Sequence, residues 1–155
     1  MIINGITGEE IDRLHEDLVM AGGGMGGLIR PGYANYVAEA AISPRHNSDL
    51  TSGAAFIISR IAKGHPYTDG NKRTAYFAAR YFLMRNGADL NGRSVEDISN
   101  HMGRIASVSV DRADCLARTL CRKDIVRGSI VVPNYETYHR LVVKSIGVAR
   151  ELGAS

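Results

Sequence analysis

Eleven consecutive residues in the middle of the chain hold most of its reactive side chains. They run from residue 65 to residue 75 and include a base, a carboxylate, a glycine, an amide and two cations, at His65, Asp69, Gly70, Asn71, Lys72 and Arg73. A histidine can take a proton from a hydroxyl group near neutral pH. An aspartate can hold a hard divalent cation through its oxygens. These residue types together indicate chemistry on a phosphate-containing substrate.

The apolar pattern on either side of this motif predicts two helices joined by a loop. The first is predicted over residues 49 to 62, with helical periodicity that reaches Lys63 and stops at Gly64. The second begins at about Lys72 and continues through Arg85. The motif would therefore close on a helix N-terminus, where free N–H groups and the helix dipole favour an anion such as phosphate.

Each residue near the start of the second helix has a predicted part in holding phosphate. Gly70 lets the backbone approach a ligand closely. Lys72 and Arg73 add positive charge, and an arginine can bind two phosphate oxygens at once. The carboxylate of Asp69 would repel a bare phosphate, so its presence predicts a divalent cation between the two. The structural alternative for Asp69 is an N-cap of the following helix.

The sequence of the motif resembles the signature of the Fic/Doc (fido) family, and is closest to its Doc (death-on-curing) branch. The common Fic pattern is His-Pro-Phe, two variable positions and Gly-Asn-Gly-Arg, whereas here the last four residues are Gly70-Asn71-Lys72-Arg73. Lys72 in place of the second glycine is the Doc-like feature. Two positions depart from the pattern: Tyr67 stands where phenylalanine is usual, and Gly70 stands where Doc has alanine.

The resemblance implies a fold as well as a site. It extends from about Ile11 to Arg122 and implies an all-α, compact fido-type bundle of about six to seven helices, with the motif loop between two central helices. It also implies a short hairpin or flap at residues 43 to 47 that lines the groove for the target protein; the alternative for these residues is a solvated loop. The chain is thus divided into a fido domain over residues 1–122 and a C-terminal extension over residues 123–155, with a helix packed on the domain or on a partner.

The resemblance also implies transfer of a phosphate-containing group from ATP to a hydroxyl of a target protein. His65 would deprotonate the hydroxyl, Asp69 would hold Mg²⁺, and positive groups would neutralise charge in the transition state. The implied catalytic residues are His65, Asp69, Asn71, Lys72 and Arg73. The implied ATP-binding residues are Gly70, Asn71, Lys72 and Arg73.

Lys72 favours phosphorylation over AMP transfer, because by family precedent this lysine obstructs the usual phosphate site and the nucleotide binds in the reversed sense. The alternatives are a Fic-type AMP transferase, a non-catalytic module whose basic loop grips a polyanion, and a degenerate fido scaffold with a regulatory role. The paired His65 and Asp69 argue against the polyanion module, because a carboxylate in a phosphate-binding loop is unfavourable without a metal.

The expected partners also follow from the resemblance. The family precedent for the target is translation elongation factor Tu. The inhibitory string of many Fic proteins, Ser/Thr, three variable positions and Glu-Gly or Glu-Asn, does not occur in this sequence. Restraint by a separate antitoxin, partly disordered until it binds, is therefore expected. Neither a membrane nor direct binding of nucleic acid is expected.

Composition is ordinary for a globular protein and is consistent with one domain. The chain has 155 residues, and 19 basic against 16 acidic residues give a formal charge of +3. Cys115 and Cys121 lie six apart in a predicted helix, a spacing too wide for a disulfide, and are interpreted as reduced thiols. With no leader-like start and no run of membrane-spanning length, a cytoplasmic location is expected.

Signals elsewhere predict the supporting elements. Thr7 and Glu10 form a capping box for a first helix over residues 8 to 21, followed by a glycine-rich stretch interpreted as a mobile connector. Ser94 begins another helix, and Asp111 is predicted as the N-cap of the next, over residues 112 to 121. The remaining histidines are assigned to the surface or to structural roles: His15, His46, His101 and His139.

The end of the chain is predicted to add a strand and a helix. Residues 130 to 132 are predicted as a short strand or an extended arm, and Asn134 as the cap of a last helix. The apolar face of that helix could pack on the domain, form a homodimer or receive a partner.

Overall fold

The computed structural model describes residues 2–44, 47 and 49–146. The elements follow one another along the chain as α1 (Gly8–Gly22), α2 (Tyr33–Ala41), α3 (Leu50–Gly64), α4 (Asn71–Met84), β1 (Ala88–Leu90), α5 (Val95–Ser107), α6 (Val110–Asp124), β2 (Ile125–Arg127) and α7 (Tyr135–Tyr138), which continues into a π-helical turn (His139–Val143). The predicted all-α, compact fido-type bundle is confirmed.

The two helices that flank the motif form the centre of the bundle. α3 packs most extensively against α4 and α6. The apolar stripes predicted for these helices are all buried: Ala54, Ile57, Ile58 and Ile61 on α3, and Ala75, Tyr76, Ala79, Phe82 and Leu83 on α4. Because removing apolar surface from water is the main favourable term in folding, the motif is held between the best-anchored elements of the chain.

Side-chain caps fix the beginnings of several helices, though not those of α2 and α4. The predicted capping box of α1 is confirmed, with the Glu10 N–H donating to Thr7 Oγ1 at 3.1 Å. The predicted N-cap of α6 is wrong: the cap is Ser109, whose Oγ accepts from the Arg112 N–H at 3.3 Å. Asp111 instead lies in the first turn of α6, where its negative charge complements the helix dipole.

A two-stranded antiparallel sheet lies beside the bundle, with Ala88 opposite Arg127 and Leu90 opposite Ile125. Residues 130 to 132, expected as a short strand or an extended arm, form no strand and pair with none in the described part of the chain, which leaves the arm. The N–H of Val132 donates to the C-terminal end of α4 at Met84 O, 3.0 Å away. A β-branched run alone does not supply a partner strand.

The C-terminal segment packs on the same core as the rest of the chain. Asn134 caps α7 as predicted, since its Oδ1 accepts from the Thr137 N–H at 3.0 Å. The buried Tyr135 and Tyr138 donate their hydroxyls to Asp17 Oδ2 on α1 and to the Phe77 carbonyl on α4, each at 2.7 Å. Of the three alternatives for the last helix, packing on the domain is the one found for residues 134 to 146. The domain boundary at residue 122 remains a prediction.

The two cysteines are both free. Cys115 is exposed, whereas Cys121 is buried and desolvation raises the pKa of its thiol to about 12. Among the described residues, no helix combines the length and the apolar character that crossing a bilayer requires.

Candidate active site

His65 lies at the C-terminal end of α3 in a left-handed backbone conformation, with φ 46° and ψ 58°. It is the one residue other than glycine with positive φ in the described part of the chain. This conformation costs an L-residue about 1–2 kcal/mol, so the surrounding structure must impose it. The left-handed position after a helix is usually a glycine, but here the glycine comes one residue earlier.

Neighbouring residues hold the end of α3 and thereby impose that conformation. The Tyr33 ring packs against Gly64 so closely that a Cβ at this position would collide with it. Arg30 Nη1 donates to the Gly64 carbonyl at 2.8 Å, and the Tyr33 hydroxyl donates to the Arg60 carbonyl at 2.8 Å. The Lys63 ammonium donates to the Val108 carbonyl between α5 and α6. The contacts of Arg30 and Tyr33 satisfy carbonyls near the helix end, and all three contacts fix the direction in which His65 leaves it.

The Asn71 side chain organises the loop from the other end. Its Oδ1 accepts from the Tyr67 N–H at 3.1 Å, which fixes the orientation of the amide. Its Nδ2 then donates to the Tyr67 carbonyl at 2.8 Å and to His65 Nδ1 at 3.0 Å. His65 Nδ1 is therefore an acceptor, and the neutral ring carries its proton on Nε2. Both amide hydrogens of Asn71 are used within the loop.

Asp69 presents its carboxylate at the surface of the loop. Its Oδ1 accepts from the Gly70 N–H at 2.8 Å and its Oδ2 from the Met25 N–H at 3.3 Å. These two hydrogen bonds, led by the one from Gly70, hold the pKa of the Asp69 carboxyl below its ordinary value. The N-cap interpretation of Asp69 is wrong, because the cap residue of α4 is Gly70, with φ 80°.

The N-terminus of α4 is open to a ligand. No side chain in the described part of the chain caps it, so the N–H groups of its first turn are free of a capping acceptor. Lys72 is exposed, with its ammonium directed towards Gly103 of α5. Arg73 is partly buried and donates from Nη2 to the Gly23 carbonyl at 2.7 Å and from Nη1 to the Leu18 carbonyl at 3.4 Å. Arg73 thus binds the end of α1 and lines the site at once.

The glycine-rich segment after α1 lies against the motif and is not a free connector. The Thr68 N–H donates to the Gly27 carbonyl at 3.0 Å, and the Ile29 N–H donates to the Pro66 carbonyl at 2.8 Å. A Cβ at Gly24 would lie 2.6 Å from Asp69 Oδ2. The absence of side chains here therefore allows the backbone to reach the carboxylate.

The flap expected at residues 43 to 47 lies partly outside the described residues and stays a prediction. Asn47 lines a separate cavity of about 140 Å³ with Arg60 and Asp114. Arg45 and His46 lie outside the described residues. The segment that pairs with the motif is residues 27 to 30, which the glycine content alone did not distinguish from a linker.

Three of the histidines assigned to surface or structural roles can be placed. His101 Nδ1 lies 2.9 Å from the Asp97 carbonyl within α5, and His139 Nε2 lies 3.7 Å from Asp17 Oδ2. His15 is buried at 2% exposure and its Nε2 lies 2.6 Å from the Asp69 carbonyl. It therefore contacts the motif directly, which neither its spacing nor its helical pattern indicated.

The motif residues open onto one cavity of about 600 Å³. His65, Asp69, Gly70, Asn71, Lys72 and Arg73 all line it. The rest of the lining is largely apolar and comes from four separate segments: Leu18, Phe77, Val95, Ile98 and Ile146. All six predicted site residues are thus brought together at one cavity that has both polar and apolar lining.

Comparison with known proteins identifies the class to which this fold and site belong. Residues 5–83, just over half of the chain, match the model of the Fic/DOC family. The chain belongs to the Fic/DOC family, which confirms the resemblance inferred from the motif. The matched region contains α1 to α3, the whole motif and all of α4 but its last residue.

Two curated relatives carry the name Doc. The chain is 34% identical over 88 residues to the protein kinase Doc of Escherichia phage P1, and the match covers 55% of this chain and 70% of the relative. It is 35% identical over 81 residues to the toxin Doc of Mycolicibacterium smegmatis, and the match covers 52% of each chain.

Proposed function

We propose that this chain is a Doc-like toxin that transfers a phosphate group from ATP to a hydroxyl of a target protein. The observation that carries the proposal is the convergence of His65, Asp69 and the uncapped N-terminus of α4 on one cavity of about 600 Å³. A base, a carboxylate and an anion site are the groups that phosphoryl transfer needs, because its catalysis consists mostly of positioning and charge neutralisation. The names of the two relatives, a protein kinase and a toxin, support the same proposal.

The phosphates would be held mainly by backbone N–H groups. Both hydrogens of the Asn71 amide are already donated to Tyr67 and His65, so this side chain has no donor left for phosphate. Its backbone N–H is in the first turn of α4 and can bind phosphate together with its neighbours. Gly70 keeps this approach open. Lys72 and Arg73 supply the positive charge beside it.

The residues present fit a magnesium ion. Mg²⁺ is commonly held by one or two carboxylates, substrate phosphates and water, not by a cage of protein ligands. Among the described residues no group of three or more His, Cys, Asp or Glu could hold a metal, so Asp69 would be the protein ligand. Its lowered pKa keeps the carboxylate ionised. The ion would neutralise the negative charge of the phosphates.

His65 would accept the proton of the target hydroxyl. In the neutral ring the lone pair is on Nδ1, which accepts from Asn71. Proton uptake therefore requires that Asn71 release Nδ1 or that the ring change tautomer. Nitrogen-15 NMR of the ring tests this: we expect the Nε2–H tautomer in the free protein and a change in the Nδ1 resonance when nucleotide binds. An unchanged Nδ1 resonance in a catalytically active protein would contradict the proposed role of this nitrogen.

The decisive experiment uses ATP labelled separately at the α and γ phosphates. The protein is incubated with Mg²⁺ and purified elongation factor Tu, the target that the family resemblance suggests. We expect label on the target from the γ position only, and none with the His65→Ala variant. Label from the α position would replace the kinase proposal with AMP transfer. Binding of polyanions with a steep salt dependence and no label from either position would favour the non-catalytic module.

Growth provides a second test. Expression of the chain alone is expected to arrest growth, and the His65→Ala variant is expected to relieve the arrest at equal protein level. Co-expression of a small antitoxin encoded beside the gene should also relieve it. Equal toxicity of the wild type and the variant would show that the arrest does not depend on His65.

A further inference from the structure

One face of α1 contacts the motif loop through two residues three positions apart, Asp12 and His15. Such residues are neighbours on a helix surface. The Tyr67 hydroxyl donates to Asp12 Oδ1 at 2.6 Å. The His15 ring stacks on the Tyr67 ring, with centroids 3.8 Å apart and planes 6° from parallel. Tyr67 is thus fixed to α1 at both its hydroxyl and its ring.

His15 also makes a polar contact with the motif backbone. Its Nε2 lies 2.6 Å from the Asp69 carbonyl, which can only accept, so Nε2 carries a hydrogen and donates it. This carbonyl belongs to the peptide unit between Asp69 and Gly70. The N–H of the same unit donates to the carboxylate, at Asp69 Oδ1. One peptide unit therefore links His15 to the position of the carboxylate and to the start of α4.

Packing around Gly70 leaves this peptide unit little freedom. A Cβ at Gly70 would lie 3.3 Å from Val19 and 3.4 Å from the His15 ring. Gly70 has φ 80°, and because glycine adopts other backbone conformations as readily, contacts must select this one. Two side chains bond the peptide unit, His15 at its carbonyl and Asp69 at its N–H, and His15 is the one of the two that comes from outside the motif.

We propose that His15 is a positioning residue of the transfer site, which sets the orientation of the Asp69–Gly70 peptide and with it both the metal-binding carboxylate and the phosphate-binding N-terminus of α4. A role of His15 in catalysis rests on the proposed function. Its effect on anion binding does not, and can be tested separately. His15 does not line the cavity and touches no substrate. A purely apolar residue would fill the same space without the need for a polar partner.

The test compares three variants in the full chain. His15→Phe keeps a ring to stack on Tyr67 but removes the donor, and His15→Gln restores a donor near the position of Nε2. Tyr67→Phe is the matched control, because it also loses one hydrogen bond between α1 and the loop but leaves the Asp69–Gly70 peptide bonded to His15. The probe is inorganic pyrophosphate in the presence of Mg²⁺, with its affinity measured by calorimetry and the unfolding free energy of each variant by urea titration.

We expect His15→Phe to weaken pyrophosphate binding about tenfold, because the peptide orientation is no longer selected. His15→Gln should recover to within about threefold of the wild type, and Tyr67→Phe should stay within about twofold although it is destabilised to a similar degree. The amide resonance of Gly70 should shift in His15→Phe. Wild-type affinity in a folded His15→Phe variant would overturn the proposal, as would equal losses of affinity in His15→Phe and Tyr67→Phe.

A measurement on the wild type keeps the proposal testable if His15→Phe does not fold. Pyrophosphate should shift the Nε2–H resonance of His15, since the ligand and this donor act on the same segment of backbone. A resonance that does not respond would overturn the proposal. If the wild type binds pyrophosphate but transfers no label from ATP, the proposed function fails while the role of His15 in anion binding stands.

Discussion

Replacing Asn71 with alanine gives a sharp test of how the motif loop is built. The Asn71 side chain is buried, and its amide is the hydrogen-bond partner of both the N–H and the carbonyl of Tyr67, a residue that is 1% exposed. Alanine would leave both buried backbone groups without that partner. An unsatisfied buried polar group costs about 1–3 kcal/mol, so with partial relaxation the expected loss is roughly 2–4 kcal/mol.

Asn86 provides a matched control in the same chain. Its amide also makes three hydrogen bonds: Oδ1 accepts from the Asn4 N–H at 2.7 Å, and Nδ2 donates to the Asn4 and Phe82 carbonyls at 2.8 Å each. Asn4 is exposed, so water can replace the lost amide in Asn86→Ala. We expect a loss of about 1 kcal/mol there, near the net value of an ordinary hydrogen bond.

The assay is equilibrium urea unfolding of both variants, followed by far-UV circular dichroism, with the denaturant slope compared to confirm two-state behaviour. If Asn71→Ala lowers the free energy of unfolding no more than Asn86→Ala does, the Asn71 amide does not stabilise the loop as its contacts indicate. A small stability loss together with a large loss of nucleotide affinity would instead show that the amide binds phosphate, as the family resemblance implied.

Three further predictions concern the surrounding elements. Gly24→Ala should weaken Mg²⁺-dependent pyrophosphate binding by about tenfold or more, because its Cβ would lie 2.6 Å from Asp69 Oδ2, whereas Gly26→Ala, with open space around it, should bind as the wild type does. Asp49 is the N-cap of α3 and its Oδ1 accepts from the Ser52 N–H at 2.8 Å, so Asp49→Ala should lower the unfolding free energy by about 1 kcal/mol at neutral pH. The hydrogen bond from the Ser52 N–H is the main reason that the pKa of the Asp49 carboxyl is lowered in the folded state. The difference in unfolding free energy between the wild type and Asp49→Ala should therefore be present above pH of about 4 and disappear as the pH falls through the folded-state pKa. In urea unfolding, Tyr138→Ala should lower the free energy of unfolding by about 3–5 kcal/mol and Tyr138→Phe by about 1 kcal/mol, because Tyr138 is fully buried. An unchanged free energy in Tyr138→Ala would show that the C-terminal segment does not complete the core.

The candidate site could be predicted from the sequence because its residues are consecutive. From His65 to Arg73 the chain supplies the base, the carboxylate and the cations within one loop, so no long-range contact is needed to bring them together. The helices on either side were predicted for a similar reason, since burial of an apolar stripe repeats every three or four residues along α3 and α4. Local capping signals likewise located the starts of α1 and α7.

The contacts that hold the loop could not be predicted, because they come from residues distant in the sequence. The glycine-rich segment has the composition of a linker, and only its hydrogen bonds to Pro66 and Thr68 show that it lies against the motif. The choice between a strand and an extended arm at residues 130 to 132 stayed open for the same reason, since a strand is defined by a partner that composition does not identify.

The sequence by itself determined the chemical groups of this protein and their family, because a short motif carries both within one loop. The tertiary structure decided how those groups are used. The Asn71 amide donates both of its hydrogens within the motif, to Tyr67 and His65. Arg73 also binds the end of α1, and His15 donates to the Asp69 carbonyl. A hydrogen bond depends on distance and direction between atoms, and for Arg73 with Gly23 and His15 with Asp69, which are at least fifty positions apart, the fold alone supplies both.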